Sequence, residues 1–509
     1  MKRTPLIGLL AVALSAPVAL VAQNRSLPSV PQSLSLRDAV ELATRYNPVH
    51  RQVENDRPGA AWGVRNAYAS FIPRVDLSSS ASYTGAGTQN FFGSTSFLQP
   101  SATIGSSYRL GLSMNLDGQT IMGPGLAKAQ LKAAEAAITS SEINLEASVR
   151  QQYLTVLEAE AQVELSRKQV ERNEEFLRLA RSRYEVGQNT MLDVRQAEVS
   201  LGQSRVTLLQ GEQSVIVEKL RLFQQMGVQA PTDPSVVTLS DSFPIVAPEW
   251  KLEDLLADAD INNPDLLQLT AQKDAASANE RAVKAQWLPS LSLNAGWSGF
   301  ARQFTDDVPL VEGGVMNARN SAQQQLDECN FQNAIIAGLA TPTVAPLDCS
   351  GFSFTPTDEA ALRARLRDQN NVFPFGFTAQ PFNASVTISL PIFTQFSRPL
   401  RNSQAAAQAE DAREAVRARE LDVRTAVTQA YYGLQTAYET IAIQEQNRIA
   451  ADEGLRLARE RYRVGSGTFF ELLDAQLAAE QAERDYINAV YGYHRAISTL
   501  EAAVGRPLR

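Results

Sequence analysis

Four short stretches of the chain alternate apolar or small residues with polar ones. In Arg74 to Tyr83 the apolar-or-small phase is Val75, Leu77, Ser79, Ala81 and Tyr83, and in the stretch before Gly118 it is Tyr108, Leu110, Leu112, Met114 and Leu116. Two more such phases are Leu291, Leu293, Ala295, Trp297 and Phe382, Ala384, Val386, Ile388, Leu390, Ile392. A period of two predicts strands with one greasy face, here about 74–83, 104–117, 289–298 and 382–393. The charges Arg74, Asp76, Arg109 and Asp117 all fall on the opposite phase, among Ser, Asn, Thr and Gly. Apolar-out and polar-in is the pattern of a membrane β-barrel with a wet lumen. One such segment alone fits a sandwich strand facing a core equally well.

The period then changes. From about Leu126 to Val186 nothing breaks a helix, and these ~60 residues span on the order of 90 Å. Val149, Val156, Val163, Val170, Leu177 and Tyr184 recur every seven positions, followed by Val194, Leu201, Leu208, Val215 and Leu222. Val427, Leu434, Ile441, Leu455 and Tyr462, then Leu472, Ala479, Tyr486, Tyr493 and Leu500, repeat both seams. A sustained seven-residue period predicts left-handed packing of antiparallel helices, about 126–226 and 403–504. A soluble coiled-coil hairpin accounts for the heptads but leaves the strands unexplained.

The chain is duplicated. RLARSRYEVG at 178–187 returns as RLARERYRVG at 456–465, an offset that also carries Val149, Gln151, Tyr153 and Gly227 onto Val427, Gln429, Tyr431 and Gly505. Upstream, Leu36, Asp38, Asn47, Pro48 and Pro73 match Leu252, Asp254, Asn263, Pro264 and Pro289. Two constant registers across whole halves define a first repeat at 23–240 and a second at 241–509, each reading helix, strand, strand, long helix pair. Pro73 and Pro289 end the first helices. The second half carries roughly 60 extra residues as an insert at 299–381, poor in regular pattern.

Lys2 and Arg3 precede an uncharged run from Leu6 to Ala22, which is read as a signal peptide at 1–22; an uncleaved anchor is the alternative. No other stretch is apolar enough for a spanning helix. With 47 Lys and Arg against 55 Asp and Glu, the chain lacks the positive excess that binds nucleic acid. Two His, His50 and His494, and two Cys, Cys329 and Cys349, leave little from which to build a metal site or a Cys/His catalytic pair, so neither an enzyme, a cofactor nor a metal is expected. Both cysteines lie in the insert, and an oxidising compartment makes a disulfide between them the default.

A sheet in lipid has to close on itself, and four strands are too few, since closed membrane barrels begin at about eight. The chain must therefore oligomerise. Two copies offer about eight strands and a lumen filled by side chains, three about twelve strands and a passage, the long helices packing side by side as a second tube. The insert, joining strands on the side away from the helices, faces the cell exterior.

The duplicated plan, with RYEVGQNTMLDVRQAE at 183–198 and RYRVGSGTFFELLDAQ at 461–476, resembles the outer-membrane efflux protein family, the TolC-like channels. The resemblance implies a mainly α protein with membrane β: a homotrimer with a twelve-stranded barrel in outer-membrane lipid, continued by a periplasmic α-helical barrel. It implies a passive conduit for a tripartite efflux pump or type I secretion, working with a periplasmic adaptor and an inner-membrane transporter. The alternative is a periplasmic coiled-coil adaptor or scaffold.

Gly187 and Gly465 sit where a helix must stop and reverse, with Thr190 and Thr468 as N-caps of the returning helices and Asp193 and Glu471 completing capping boxes. The resemblance adds roles to the same residues. Glu471 and Asp474 line the periplasmic aperture as acidic rings favouring cations. Asp193 and Tyr462 are gate contacts, and Gly467 stands where relatives carry an arginine. Tyr184, Val186, Gly187, Val464 and Gly465 form the periplasmic-tip turns that meet the adaptor.

Overall fold

The structure is a computed structural model that describes residues 30–508 apart from 91–95, 100, 189 and 339–343; the signal peptide expected at 1–22 lies outside the described residues. In chain order the elements are β1 (Ser33–Leu34), α1 (Leu36–Tyr46), α2 (Pro48–Glu54), α3 (Asp56–Ala69), β2 (Arg74–Thr84), β3 (Gly87–Asn90), β4 (Ser96–Gln99), β5 (Thr103–Leu116), α4 (Gly118–Glu185) and α5 (Met191–Met226). The second half adds β6 (Thr238–Leu239), α6 (Leu252–Asn262), α7 (Pro264–Lys284), β7 (Ser290–Phe304), α8 (Val308–Ala337), α9 (Pro356–Asn370), β8 (Thr378–Ala379), β9 (Asn383–Ser389), α10 (Ser397–Arg463) and α11 (Phe469–Val504). They form two compact units: a helical one, with residues up to Trp62, Lys128–Ser277 and Ala407–Arg509, and one holding the main sheet, Gly63–Ala127 and Ala278–Ala406.

The sheet runs β2-β5-β7-β9 with every neighbour antiparallel, and β8 also pairs β7. Its register lines up the apolar phases of all four strands. Val75, Leu112, Ala295 and Ala384 form one row, Met114, Leu293 and Val386 another, and Leu116, Leu291 and Ile388 a third. The polar phases line up too, as in the row Arg74, Ser113, Asn294, Ser385. Side chains alternate across a strand, so the apolar rows share one face and the polar rows the other. The apolar face is bare, with Leu77 66%, Val386 67% and Ile388 74% exposed. Among the described residues β2 and β9 are each paired on one side only.

Four boundaries differ from the sequence reading by more than one residue. β9 ends at Ser389 rather than 393, just ahead of Pro391, which cannot donate to a ladder. β7 runs to Phe304, six residues beyond the expected end, because Gly299 and Ala301 continue the alternation with small residues where no apolar phase is visible. Gly299 is required there: a Cβ would stand 2.5 Å from the Tyr108 ring on β5. The long helices start earlier than expected, α4 at Gly118 rather than 126 and α10 at Ser397 rather than 403. Asp117 caps α4 by accepting from the Thr120 backbone N–H at 2.7 Å, and Pro124 inside the helix costs one ladder bond without ending it.

The insert also departs from its expected irregularity. It holds α8, of 30 residues, and α9, whose Thr355 and Asp358 close a capping box. Arg363 binds Glu312 on α8 and Glu359 on α9, tying the two helices together. Cys329 and Cys349 are joined, with Cα atoms 5.8 Å apart. The Asn370 side chain both donates to the Phe304 carbonyl and accepts from its N–H, at 2.9 Å each, standing in for a strand partner at the end of β7.

In the helical unit the four long helices obey the duplication to the residue, since α10 and α11 end 278 positions after α4 and α5. The heptad seams are its core. Val149, Tyr153 and Val156 pack with Leu222, Phe223 and Met226, and Val427, Leu434 and Ile441 with Tyr493, Ile497 and Leu500. α1 adds Ala39 and Ala43 to the first cluster, and α6 adds their counterparts Leu255 and Ala259 to the second. At the turns the two repeats share one cluster, which joins Phe176, Ala180 and Val194 to Leu455, Tyr462 and Leu472. Both histidines are buried; His50 lies 3.1 Å from the Ser141 hydroxyl, and His494 is beside Tyr493 and Phe243.

Candidate functional site

The two repeats meet along a seam between α4 and α11. Arg150 pairs with Glu501, Glu158 with Arg495 and Arg172 with Glu483, while Gln162 bonds Asn488 and Asn173 accepts from Gln476. On the same stripe of α4, Leu154 and Leu165 are 1% and 3% exposed. Their counterparts on α10, Tyr432 and Ile443, are 56% and 58% exposed. The face of α11 that carries His494 and Ser498 is buried, and its counterpart on α5, Ile216 and Leu220, is open. One copy thus satisfies each kind of face once.

The seam leads to the turns. α4 and α10 both end in a left-handed glycine, Gly187 at φ +73° and Gly465 at φ +82°, which an L side chain enters only with strain. Each turn is closed by the same pair of backbone bonds, Gly187 N–H to Tyr184 and Gln188 N–H to Arg183 in one, Gly465 N–H to Tyr462 and Ser466 N–H to Arg461 in the other.

The side chains break this symmetry. Tyr462 is buried, with Phe469 at 5.9 Å between ring centroids. Arg183, itself buried, lays its guanidinium over the Tyr462 ring at 4.6 Å and donates to the Tyr462 carbonyl. Desolvated stacking of this kind is a strong cation–π arrangement. The counterparts are open: Tyr184 is 42% exposed and Arg461 lies on the surface. Val186 and Val464 are 68% and 71% exposed, so an apolar tip residue of each turn faces outward.

The returning helices also differ. Thr190 and Asp193 close a full capping box, the Asp193 carboxylate accepting from the Thr190 N–H at 3.0 Å. Thr468 accepts from the Glu471 N–H at 3.2 Å, but the expected reciprocal bond is not made. Glu471 turns instead toward Arg461, 3.5 Å away, a direction kept open by Gly467, whose Cβ would crowd both side chains. Asp474, one turn on, is exposed. The structure therefore brings Glu471 and Asp474 onto one exposed stretch of α11, and it commits Asp193 to its cap and the Tyr462 ring to Arg183 and Phe469. Beside them Arg181 and Arg195 hold the Glu198 carboxyl below the usual glutamate range. The Arg183 contact was not anticipated; the repeated Arg-Tyr dipeptide was its one trace in the sequence.

Among the described residues no helix is long and apolar enough to cross a membrane, which has no bearing on a β-barrel. The chain matches the outer membrane efflux protein family over residues 50–228 and 359–506, well over half its length. It is 32% identical over 175 residues to the toluene efflux pump outer membrane protein TtgF of Pseudomonas putida, covering 34% of this chain and 35% of that one. It is 30% identical over 236 residues to the antibiotic efflux pump outer membrane protein ArpC of Pseudomonas putida, 44% of this chain and 47% of that one. The chain thus aligns with less than half the length of these relatives. Its fold is that of the outer membrane protein VceC from Vibrio cholerae (TM-score 0.66, 17% identity, 93% of this chain and 97% of that one) and of the Campylobacter jejuni CmeC outer membrane channel (TM-score 0.69, 16%, 92% and 85%). The duplicated helix and strand plan, the sheet with its bare apolar face and the sequence match agree, and the chain belongs to the outer membrane efflux protein family.

Proposed function

We propose that the chain is one copy of a homotrimeric exit duct, a passive conduit that serves a tripartite efflux pump. Family and fold are those of channel proteins. The observation that carries the reading is the open sheet β2-β5-β7-β9, whose apolar rows lie on one face while, among the described residues, its two edges have no second neighbour. In lipid such edges must be paired, and three copies joined β2 to β9 make a closed barrel of about twelve strands with the polar rows inside. The bare faces of α5 and α10 support the same closure. α4 meets α11 within a copy, so by the duplication α10 meets the α5 of the next, a head-to-tail contact that closes as a ring.

The tip turns, with Tyr184, Val186, Gly187, Val464 and Gly465, then meet a periplasmic adaptor, which links the duct to an inner-membrane transporter and opens it. Glu471 and Asp474 line the aperture, and Asp193 and Tyr462 belong to its gate. The relatives' names favour a pump over type I secretion. The sheet weighs against a periplasmic adaptor or scaffold, which has no use for a greasy outer face. Native mass spectrometry of detergent-extracted protein tests the reading: a trimer from the outer-membrane fraction is expected, and a monomer, or recovery in the soluble periplasm, overturns it.

A further inference from the structure

We infer that Arg461 of one copy closes on Tyr184 of the next, as Arg183 closes on Tyr462 within a copy, and that this contact releases Glu471. The inference rests on the ring proposed above and goes beyond it, by naming a contact between copies that sets the charge of the aperture.

The second turn is a built cradle for a guanidinium. Its walls are the Tyr462 ring, the Tyr462 carbonyl and the bare backbone of Gly465, where a Cβ would stand 3.3 Å from the Arg183 side chain. The first turn offers the same cradle, which no described residue fills. Gly187 has the same left-handed backbone, the Gly187 N–H reaches Tyr184 at 2.9 Å as Gly465 reaches Tyr462 at 3.1 Å, and nothing stands within 4 Å of the place a Gly187 Cβ would take. The occupant follows from the duplication. Arg183 comes from α4 to fill the cradle of the second repeat, so the first repeat's cradle takes the counterpart arginine, Arg461, from the α10 that packs beside it. That α10 belongs to the neighbouring copy.

Arg461 is available for this. Its side chain is 60% exposed, and it is held by Glu471 at 3.5 Å and the Ser466 carbonyl at 3.4 Å, an exposed pairing of loose geometry that is readily given up. Stacked on a neighbour's tyrosine away from water, the guanidinium gains a cation–π contact instead. The two partners exclude each other. On Tyr184 of the next copy, Arg461 ties the tips together and leaves Glu471 fully negative; on Glu471, it leaves the tips unclasped and neutralises one acid per copy at the aperture. Tip closure and aperture charge are therefore coupled through one side chain.

Thiol cross-linking of the full-length protein in outer membranes tests the contact. The double variant Arg461→Cys with Tyr184→Cys is treated with a short bis-maleimide and compared with Thr436→Cys with Val217→Cys, the between-copy counterparts of Glu158 and Arg495. Covalent trimers are expected from both. If only the control pair links, the clasp is overturned and the ring stands; if neither links, the ring reading fails and takes the clasp with it. Bilayer recordings test the coupling. Tyr184→Ala and Arg461→Met should each raise conductance several-fold, with no further rise when combined, and Tyr184→Phe should not. Tyr184→Ala, which sends Arg461 to Glu471, should lower cation preference, whereas Arg461→Met should keep it. Equal selectivity in these two variants overturns the coupling.

Discussion

Arg150 and Glu501 form an ion pair across the seam between the two repeats, and Thr428 and Phe223, which stand 278 positions from them, carry no charge. The seam inside one copy is laced with charge; of the corresponding places Phe223 is buried in its own repeat, while Thr436 and Val217, the counterparts of Glu158 and Arg495, are exposed and uncharged. A charged seam fixes the register of two helix pairs of one chain. A bare apolar one is stable only once covered, which is what a face reserved for assembly requires.

The Arg150 pair is therefore a stability element of the single copy. The Glu501 side chain is only 5% exposed, and it also accepts from the Leu508 N–H at 3.1 Å. Arg150→Met takes the ion partner from that buried carboxylate and should cost about 3–5 kcal/mol, whereas Arg150→Met with Glu501→Leu should recover most of it. Thermal unfolding in detergent measures both. A double variant no more stable than the single one removes the pair from this role.

Glu146, one turn before Arg150, gives a pH dependence. Burial raises its pKa, Glu142 adds to the rise and Arg150 opposes it. A carboxyl with a raised folded-state pKa is favourable while protonated, so its contribution is present below the ordinary value near 4.5 and is lost as pH rises through the folded value. Glu146→Gln, fixed in the neutral form, should melt higher than the parent at neutral pH, and the difference should vanish on acidification. A constant offset across the scan places the effect elsewhere.

Much of this fold was legible because its signals are periodic. The heptads of α4 and α10 and the alternation in β2 and β5 each recur often enough to outweigh local exceptions. The insert helices were missed because Gly313 and Gly314 interrupt α8, although Thr355 and Asp358 announced the start of α9. At the tip the glycines, the two threonine N-caps and the Asp193 capping box could be read, but not which side chains the turns gather. Arg183 and Arg461 sit in nearly identical sequences, and only their neighbours in space, the other repeat for one and solvent for the other, make them different. For the same reason Glu471 was expected in a capping box, since nothing local shows that Arg461 competes for it.

The two faces of the sheet should respond oppositely to charge. Leu112 and Ile388 lie in apolar rows, next to Val75 and Leu291, and Ser113 and Ser389 lie on the other phase. Arginine at Leu112 or Ile388 should cost roughly 2–4 kcal/mol near the bilayer midplane and reduce the yield of assembled protein in the outer membrane. Arginine at Ser113 or Ser389 should assemble normally. Equal yields would reverse or abolish the assigned orientation.

The disulfide should matter to the insert and not to conduction. Cys329 and Cys349 close a loop with a sequence separation of 20, joining the last third of α8 to the approach to α9. Replacing both by serine should remove about 3 kcal/mol of chain-entropy stabilisation from that segment. Limited proteolysis should then cut the insert faster, while single-channel conductance stays unchanged. A conductance change would give the insert a part in the passage.

The aperture acids give the most direct functional test. Glu471 and Asp474 are exposed in one copy, one turn apart on α11; in the proposed trimer they form two stacked rings in a narrow space where few waters screen them. Glu471→Gln with Asp474→Asn should weaken cation selectivity and relieve block by multivalent cations in planar bilayers. Asp474→Asn alone should account for the larger share whenever Arg461 rests on Glu471, because a guanidinium 3.5 Å away already offsets that charge. Selectivity unchanged in the double variant would remove both residues from the aperture and leave the fold intact.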